Sequence, residues 1–101
     1  MNLYDDVLEV LGTVVDPEMA PVNIVELGLV YEVNVKDGGN IQIIMTLTAP
    51  GCPVAGELIQ EIQQKVSQLN GVTDVHVQLT FDPPWTREMM SDEAKFELGF
   101  M

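Results

Sequence analysis

Residues 29–48 read LVYEVNVKDGGNIQIIMTLT, and this stretch decides the architecture. Leu29, Tyr31, Val33 and Val35 alternate with Glu32 and Asn34, which is the period of a half-buried strand. Asp37-Gly38-Gly39-Asn40 supplies residues tolerant of positive φ, the chemistry of a tight hairpin turn. Ile41 to Thr48 is the expected return strand, with Ile41, Ile43, Met45 and Leu47 on one face. The segment 49–53 (Ala-Pro-Gly-Cys-Pro) then breaks the pattern.

Upstream of the hairpin, Leu3, Val7, Val10, Leu11 and Val14 recur at helical spacing, with Asp5, Asp6 and Glu9 on the opposite face. Asp16-Pro17 is the expected end of that helix, since a residue before proline avoids helical backbone. Residues 16–28, with Pro17, Pro21 and Gly28, read as an ordered loop. Downstream, Ala55, Leu58, Ile62, Val66 and Leu69 form the apolar stripe of a second helix, which Asn70-Gly71 caps. Val75, Val77, Leu79 and Phe81 alternate as a third strand. After the stiff Asp82-Pro83-Pro84-Trp85 segment, Ser91 caps a short last helix, with Asp92 and Glu93 in its first turn and Gly99 beyond its end.

The order is therefore α-β-β-α-β-α. A helix between the second and third strands returns the chain, so those two strands run in the same direction. The expected fold is α+β, a two-layer domain with a mixed three-stranded sheet and helices on one face. With no repeat or linker in sight, residues 1–101 read as one domain.

Composition narrows the function classes. Asp+Glu number 16 against Lys+Arg 4, a formal net charge of -12, so no phosphate-binding stripe exists and nucleic acid is excluded as a partner. Seven acids, among them Asp16, Glu18 and Glu26, precede Lys36, the first basic residue; this field favours a basic partner or a cation, and solubility alone is the plainer alternative. One cysteine cannot form an internal disulfide, and one Cys with one His cannot supply a structural zinc site. Without a secretory leader or a long apolar run, the expected location is the cytoplasm, away from membranes.

Chemistry has one natural address. Cys52 stands between the central strand and the second helix, and Pro53 suits a first helical position, which puts Cys52 at or beside the N-cap. Free backbone N–H groups and the helix dipole there favour the thiolate, the form that binds metal or attacks electrophiles. Gly51 leaves room for close approach, and Thr48 is a candidate hydrogen-bond donor to the sulfur. A small buried Cys in a tight turn is the plainer alternative. Asp16, Glu18 and Glu26 bring carboxylates to the same site if their loop reaches the Cys52 turn; otherwise Asp16 ends a helix and Glu18 and Glu26 face solvent. His76 has the opposite parity to Val75 and Val77 and reads as an exposed strand residue. Trp85 is the expected anchor of the last helix, and with Met89 it offers a candidate partner contact.

Four stretches together carry a resemblance: Asp16-Pro17-Glu18, residues 23–31 (NIVELGLVY), Thr46-Leu47-Thr48 with Pro50-Gly51-Cys52-Pro53, and Phe81-Asp82-Pro83-Pro84-Trp85. In this order, over nearly the whole chain, they resemble the SufT/PaaD-like family, small domains related to the eukaryotic cytosolic iron–sulfur targeting subunit. The resemblance implies an iron–sulfur cluster assembly fold and an accessory, non-catalytic role in maturing iron–sulfur proteins. It also implies that Cys52 is the key thiol and a transient metal ligand, with Asp16, Glu18 and Thr48 lining its site. Many relatives carry a hydroxyl residue just after the position of Thr48, where this chain has Ala49. Some relatives instead assist a phenylacetate-type ring-hydroxylating oxygenase complex, which is the alternative function.

A protein-held [2Fe–2S] cluster needs four ligands, and one Cys per chain is too few. The expectation is a labile cluster or iron, shared across a homodimer or with an assembly or client protein, and none stably bound. A thiol-dependent enzyme using Cys52 is a third possibility, but no base or cofactor loop accompanies it.

Overall fold

The computed structural model describes residues 2–16, 21–48 and 55–99. Helix α1 (Leu3–Leu11) starts where Asn2 caps it, its side-chain oxygen accepting the Asp5 N–H at 2.9 Å. The helix stops at Gly12, not at Asp16 as the proline suggests. Glycine is a weak helix former, and the β-branched run Thr13-Val14-Val15 follows it. The Thr13 hydroxyl also donates to the Val10 carbonyl at 2.6 Å, occupying an acceptor at the helix end. Val14 nonetheless stays in the core with Val7 and Leu11.

Strands β1 (Val30–Lys36) and β2 (Asn40–Met45) pair antiparallel, and β3 (Asp74–Leu79) joins β2 in parallel, giving the order β1-β2-β3. The mixed sheet and the α-β-β-α-β-α order are those expected. Helix α2 (Ala55–Ser67) makes the crossover that parallel pairing requires. Ile41, Ile43 and Met45 on one face of β2 are fully buried. They share a core with Val7 and Leu11 of α1 and Leu58, Ile62 and Val66 of α2. Asp74, His76 and Gln78 of β3 are exposed on the opposite parity.

Several strand limits differ from the expected ones. A bulge between Val30 and Glu32 puts Val30, not Tyr31, opposite Met45. Tyr31 leaves the alternation, and its hydroxyl donates to the Pro83 carbonyl at 2.8 Å, with the Met89 sulfur at 3.6 Å. β2 ends at Met45; Leu47 is still buried, but it and Thr46 lie beyond the strand. β3 ends at Leu79, and Phe81 is exposed. The hairpin tip is a tight turn (Asp37–Gly39) with positive φ at Gly38 and Gly39. A side chain at Gly39 would overlap the Gly71 carbonyl.

The C-terminal segment is fastened to the turn at residues 23–28. Ser91 caps helix α3 (Asp92–Glu97), its hydroxyl oxygen accepting the Ala94 N–H at 3.1 Å. The same hydroxyl donates to the Glu26 carboxylate, and the Ser91 N–H donates to the Glu26 carbonyl at 2.9 Å. The Trp85 indole N–H donates to the Leu27 carbonyl at 2.7 Å. Gly28, at φ +78, lies so close to Met89 that a Cβ would overlap the Met89 backbone.

This clasp should be measurable in stability. Gly28→Ala should lower unfolding free energy by more than the ~1–2 kcal/mol of a left-handed alanine, because Met89 must also move. Ser91→Ala should cost about 1 kcal/mol as a lost cap. Urea denaturation of both variants tests them, and wild-type midpoints would show that the clasp carries no stability.

Candidate functional site

Register fixes where the distinctive segments gather. Val30, Met45 and Leu79 are neighbours at one end of the sheet, Val30 opposite Met45 and Met45 beside Leu79. The loop from Asp16 leads into Val30, the segment toward Cys52 leaves Met45, and the Phe81–Trp85 stretch leaves Leu79. All four stretches noted in the sequence therefore attach to this end. The opposite end carries the hairpin tip and the approach to β3, tied where Thr73 donates to the Gly39 carbonyl at 2.9 Å.

Backbone hydrogen bonds stitch the segments together. Ile24 donates to Val14 at 2.9 Å, Leu29 to Ile24 at 3.0 Å, and Thr46 to Leu29 at 2.8 Å. Val15 and Asn23 form an isolated antiparallel bridge beside this series. Asp16 and Thr48 thus each stand two residues beyond its terminal members. On the other side, Thr80 donates to the Met45 carbonyl at 2.9 Å.

Asp16 is buried, with 3% of its surface exposed. Asp16 does not end the helix, which stops at Gly12, and burying its charge is expensive unless neighbours compensate it. Thr46 is fully buried, its hydroxyl 3.5 Å from the Leu47 carbonyl, and Thr48 is half-buried. Glu18, Gly51 and Cys52 lie outside the described residues, as do Pro17, Ala49, Pro50 and Pro53. Cys52 belongs to the connection between Thr48 and α2, three residues before Ala55.

Glu26 is half-buried in a turn shaped by Asn23, whose side chain accepts the Glu26 N–H at 2.9 Å. Its carboxylate is engaged with Ser91. Trp85 and Met89 are both half-buried, Trp85 anchored on Leu27 and Met89 against the Tyr31 hydroxyl. His76 is exposed, its Nε2 2.9 Å from Asp74 of its own strand. Among the described residues no group of three or more His, Cys, Asp or Glu could hold a metal ion, and no helix is long and apolar enough to cross a membrane.

Sequence reasoning missed the Glu26–Ser91 pairing, the burial of Thr46 and the role of Tyr31. Ser91 was legible as a cap, but its second partner lies 65 residues away. Gly28 was the available signal, since an isolated glycine after an apolar run marks a close backbone approach.

Comparison with known proteins gives this geometry its context. The family model described as "Iron-sulfur cluster assembly protein" matches residues 4–79. An "Fe-S protein maturation auxiliary factor" of Porphyromonas gingivalis is 47% identical over 101 residues, covering 100% of this chain and 95% of the relative. The Bacillus subtilis "Fe-S protein maturation auxiliary factor YitW" is 43% identical over 97 residues, covering 96% and 94%. A solved Bacillus anthracis structure, titled a domain of unknown function DUF59, superposes with a TM-score of 0.91 at 37% identity, covering 98% of this chain and 93% of that one. More distant relatives include an "Iron-sulfur cluster carrier protein" of Mycobacterium leprae, 31% identical, of which the match spans 23% (96% of this chain). An Escherichia coli protein named as a component of 1,2-phenylacetyl-CoA epoxidase is 34% identical, with 55% of its length spanned (92% of this chain). The relatives sharing nearly their full length with this chain are thus named as auxiliary factors, and the chain belongs to the iron–sulfur cluster assembly protein family.

Proposed function

We propose that this protein is a non-catalytic adaptor in the maturation of iron–sulfur proteins, with Cys52 as a transient ligand for iron or a cluster in transit. What supports the reading is that the loop from Asp16, the segment that leaves Met45 toward Cys52 and the segment that leaves Leu79 all attach to one end of the sheet, with Asp16 buried. A lone thiol beside a helix start and a carboxylate from the neighbouring loop form a weak, open donor set. That suits passing a cluster on better than keeping it, because a resident [2Fe–2S] centre takes four strong ligands. The remaining ligands come from a second chain or from an assembly or client protein, which makes the partner part of the chemistry.

Asp16, Glu18 and Thr48 set the environment of Cys52 in this reading, with Gly51 next to it in the chain as a further site residue. Glu26 lines the outer wall of the loop through its bond to Ser91. Trp85 and Met89 hold the last segment in place while leaving part of their surface for a partner. The protein works in the cytoplasm, where thiols stay reduced. A catalytic thiol is disfavoured because His76 is exposed and engaged with Asp74. A second reading, helper of a ring-oxygenating complex, is favoured by the epoxidase-component relative. Maturation ranks above it because the auxiliary-factor relatives are matched over 95% and 94% of their length and the epoxidase component over 55%.

Anaerobic reconstitution with ferrous iron, sulfide and thiol tests the thiol directly. Wild-type protein should gain visible charge-transfer absorption and pass it to an apo-ferredoxin, whereas Cys52→Ser should do neither while keeping its thermal midpoint. Iron retention unchanged in Cys52→Ser would remove Cys52 as a ligand. Asp16→Asn should weaken iron retention by about tenfold, the usual effect of losing a supporting carboxylate. Loss of thermal stability with unaltered iron retention would instead make Asp16 purely structural.

A further inference from the structure

A groove of about 620 Å³ lies between the turn at residues 21–26 and helix α3. Its floor is apolar, with Val22 and Ala94 buried and Pro21 beside them. Phe96 stands on its rim with 77% of its surface exposed, on a helix of only six residues. The carboxylates of Asp92, Glu93 and Glu97 join that of Glu26 around it, and no basic side chain lines it among the described residues.

We propose that this groove docks a basic peptide segment carrying an apolar side chain, supplied by a partner protein. Three observations converge on that occupant. First, the carboxylates are not all explained by helix stability. Asp92 and Glu93 sit in the first turn of α3, where the dipole favours them, but Glu97 is the last residue of the helix, where the dipole opposes an acid. Glu93 and Glu97 are also four residues apart, a repulsive pair on the helix surface. A cation placed between them relieves both penalties.

Second, Phe96 is a large aromatic surface left in water, one turn from Asp92 along the helix. Aromatic side chains, Phe included, are enriched at interface cores because each buries a large apolar area. Third, the groove is pre-built. Its two walls are fastened by the Ser91 bonds to the Glu26 carbonyl and carboxylate, so little ordering remains to be done on binding. Charge selects the occupant: a second copy of a chain with net charge -12, a nucleic acid or an acidic lipid would each be repelled.

The groove adjoins the candidate site, since Asn23 in its wall bridges to Val15, the neighbour of Asp16. A protein seated there would be held beside the Val15–Asp16 segment. Only the partner's identity as an assembly or client protein rests on the proposed function; docking itself needs neither Cys52 nor a cluster.

The test uses the full chain and a short amidated peptide of alternating Lys and Leu, followed by titration calorimetry and amide-shift mapping. Shifts should concentrate at residues 21–26 and 92–97. Phe96→Ala and the pair Glu93→Gln with Glu97→Gln should each weaken binding by about tenfold. Replacing Leu by Ser in the peptide should do the same, and Cys52→Ser should bind like wild type. Neutralising Asp5, Asp6 and Glu9 on α1 removes three charges, one more than the groove pair, and should change affinity less than the groove variants. Absence of saturable binding, shifts centred on α1, indifference to Phe96, or equal loss on neutralising α1 would each overturn the proposal.

Discussion

Everything in this fold depends on β2 pairing with neighbours of opposite sense. The antiparallel pair with β1 is closed by the tight turn at Asp37–Gly39, and the parallel pair with β3 needs a helix to bring the chain back. These two connections must leave β2 from opposite ends. The crossover departs from the C-terminal end, and the entry to β1 and the exit from β3 arrive there too. One end of the sheet is thus compact and built of glycine and short polar residues. The other collects three longer segments, and every distinctive stretch of the sequence lies in them. Where these segments attach is a consequence of strand direction before any side chain is considered.

The three segments do not simply share a neighbourhood. Each is tied to the next by main-chain hydrogen bonds, from Val14 through Ile24 and Leu29 to Thr46, and from Met45 to Thr80. Trp85 and Tyr31 then bind the last segment to the first through carbonyl acceptors at Leu27 and Pro83. Such a network holds the geometry largely through backbone groups. Asp16, Thr46 and Thr48 are therefore placed by their neighbours' backbones, and burial then sets the surroundings of their polar atoms.

The element order, the mixed sheet and the buried faces of α1, β2 and α2 were legible because hydrophobic periodicity reports burial directly. Ends were less legible, for identifiable reasons. Pro17 is the stronger breaker on paper, but Gly12 and the threonine beside it act first along the chain. The Tyr31 bulge was hidden because its cause is a hydrogen-bond partner 52 residues away. In the same way, Glu26 read as one carboxylate among several, and only the folded chain shows it pairing with Ser91. Periodicity sees neighbours along a helix or strand; it does not see contacts closed by topology.

Solitude of the thiol and excess of acid also take on a joint meaning. In the proposed role, a chain with one cysteine cannot complete a cluster's ligand set by itself, and a second protein surface would supply the rest. A chain of net charge -12 is poorly suited to recruit another acidic surface, and self-association must overcome its own field. These constraints favour a heterologous partner with basic character over a symmetric pair. The acids around α3, including one placed against its helix dipole, are where such a partner would gain most. Ligand shortage and charge excess therefore point the same way, toward a protein whose site is completed by what it binds.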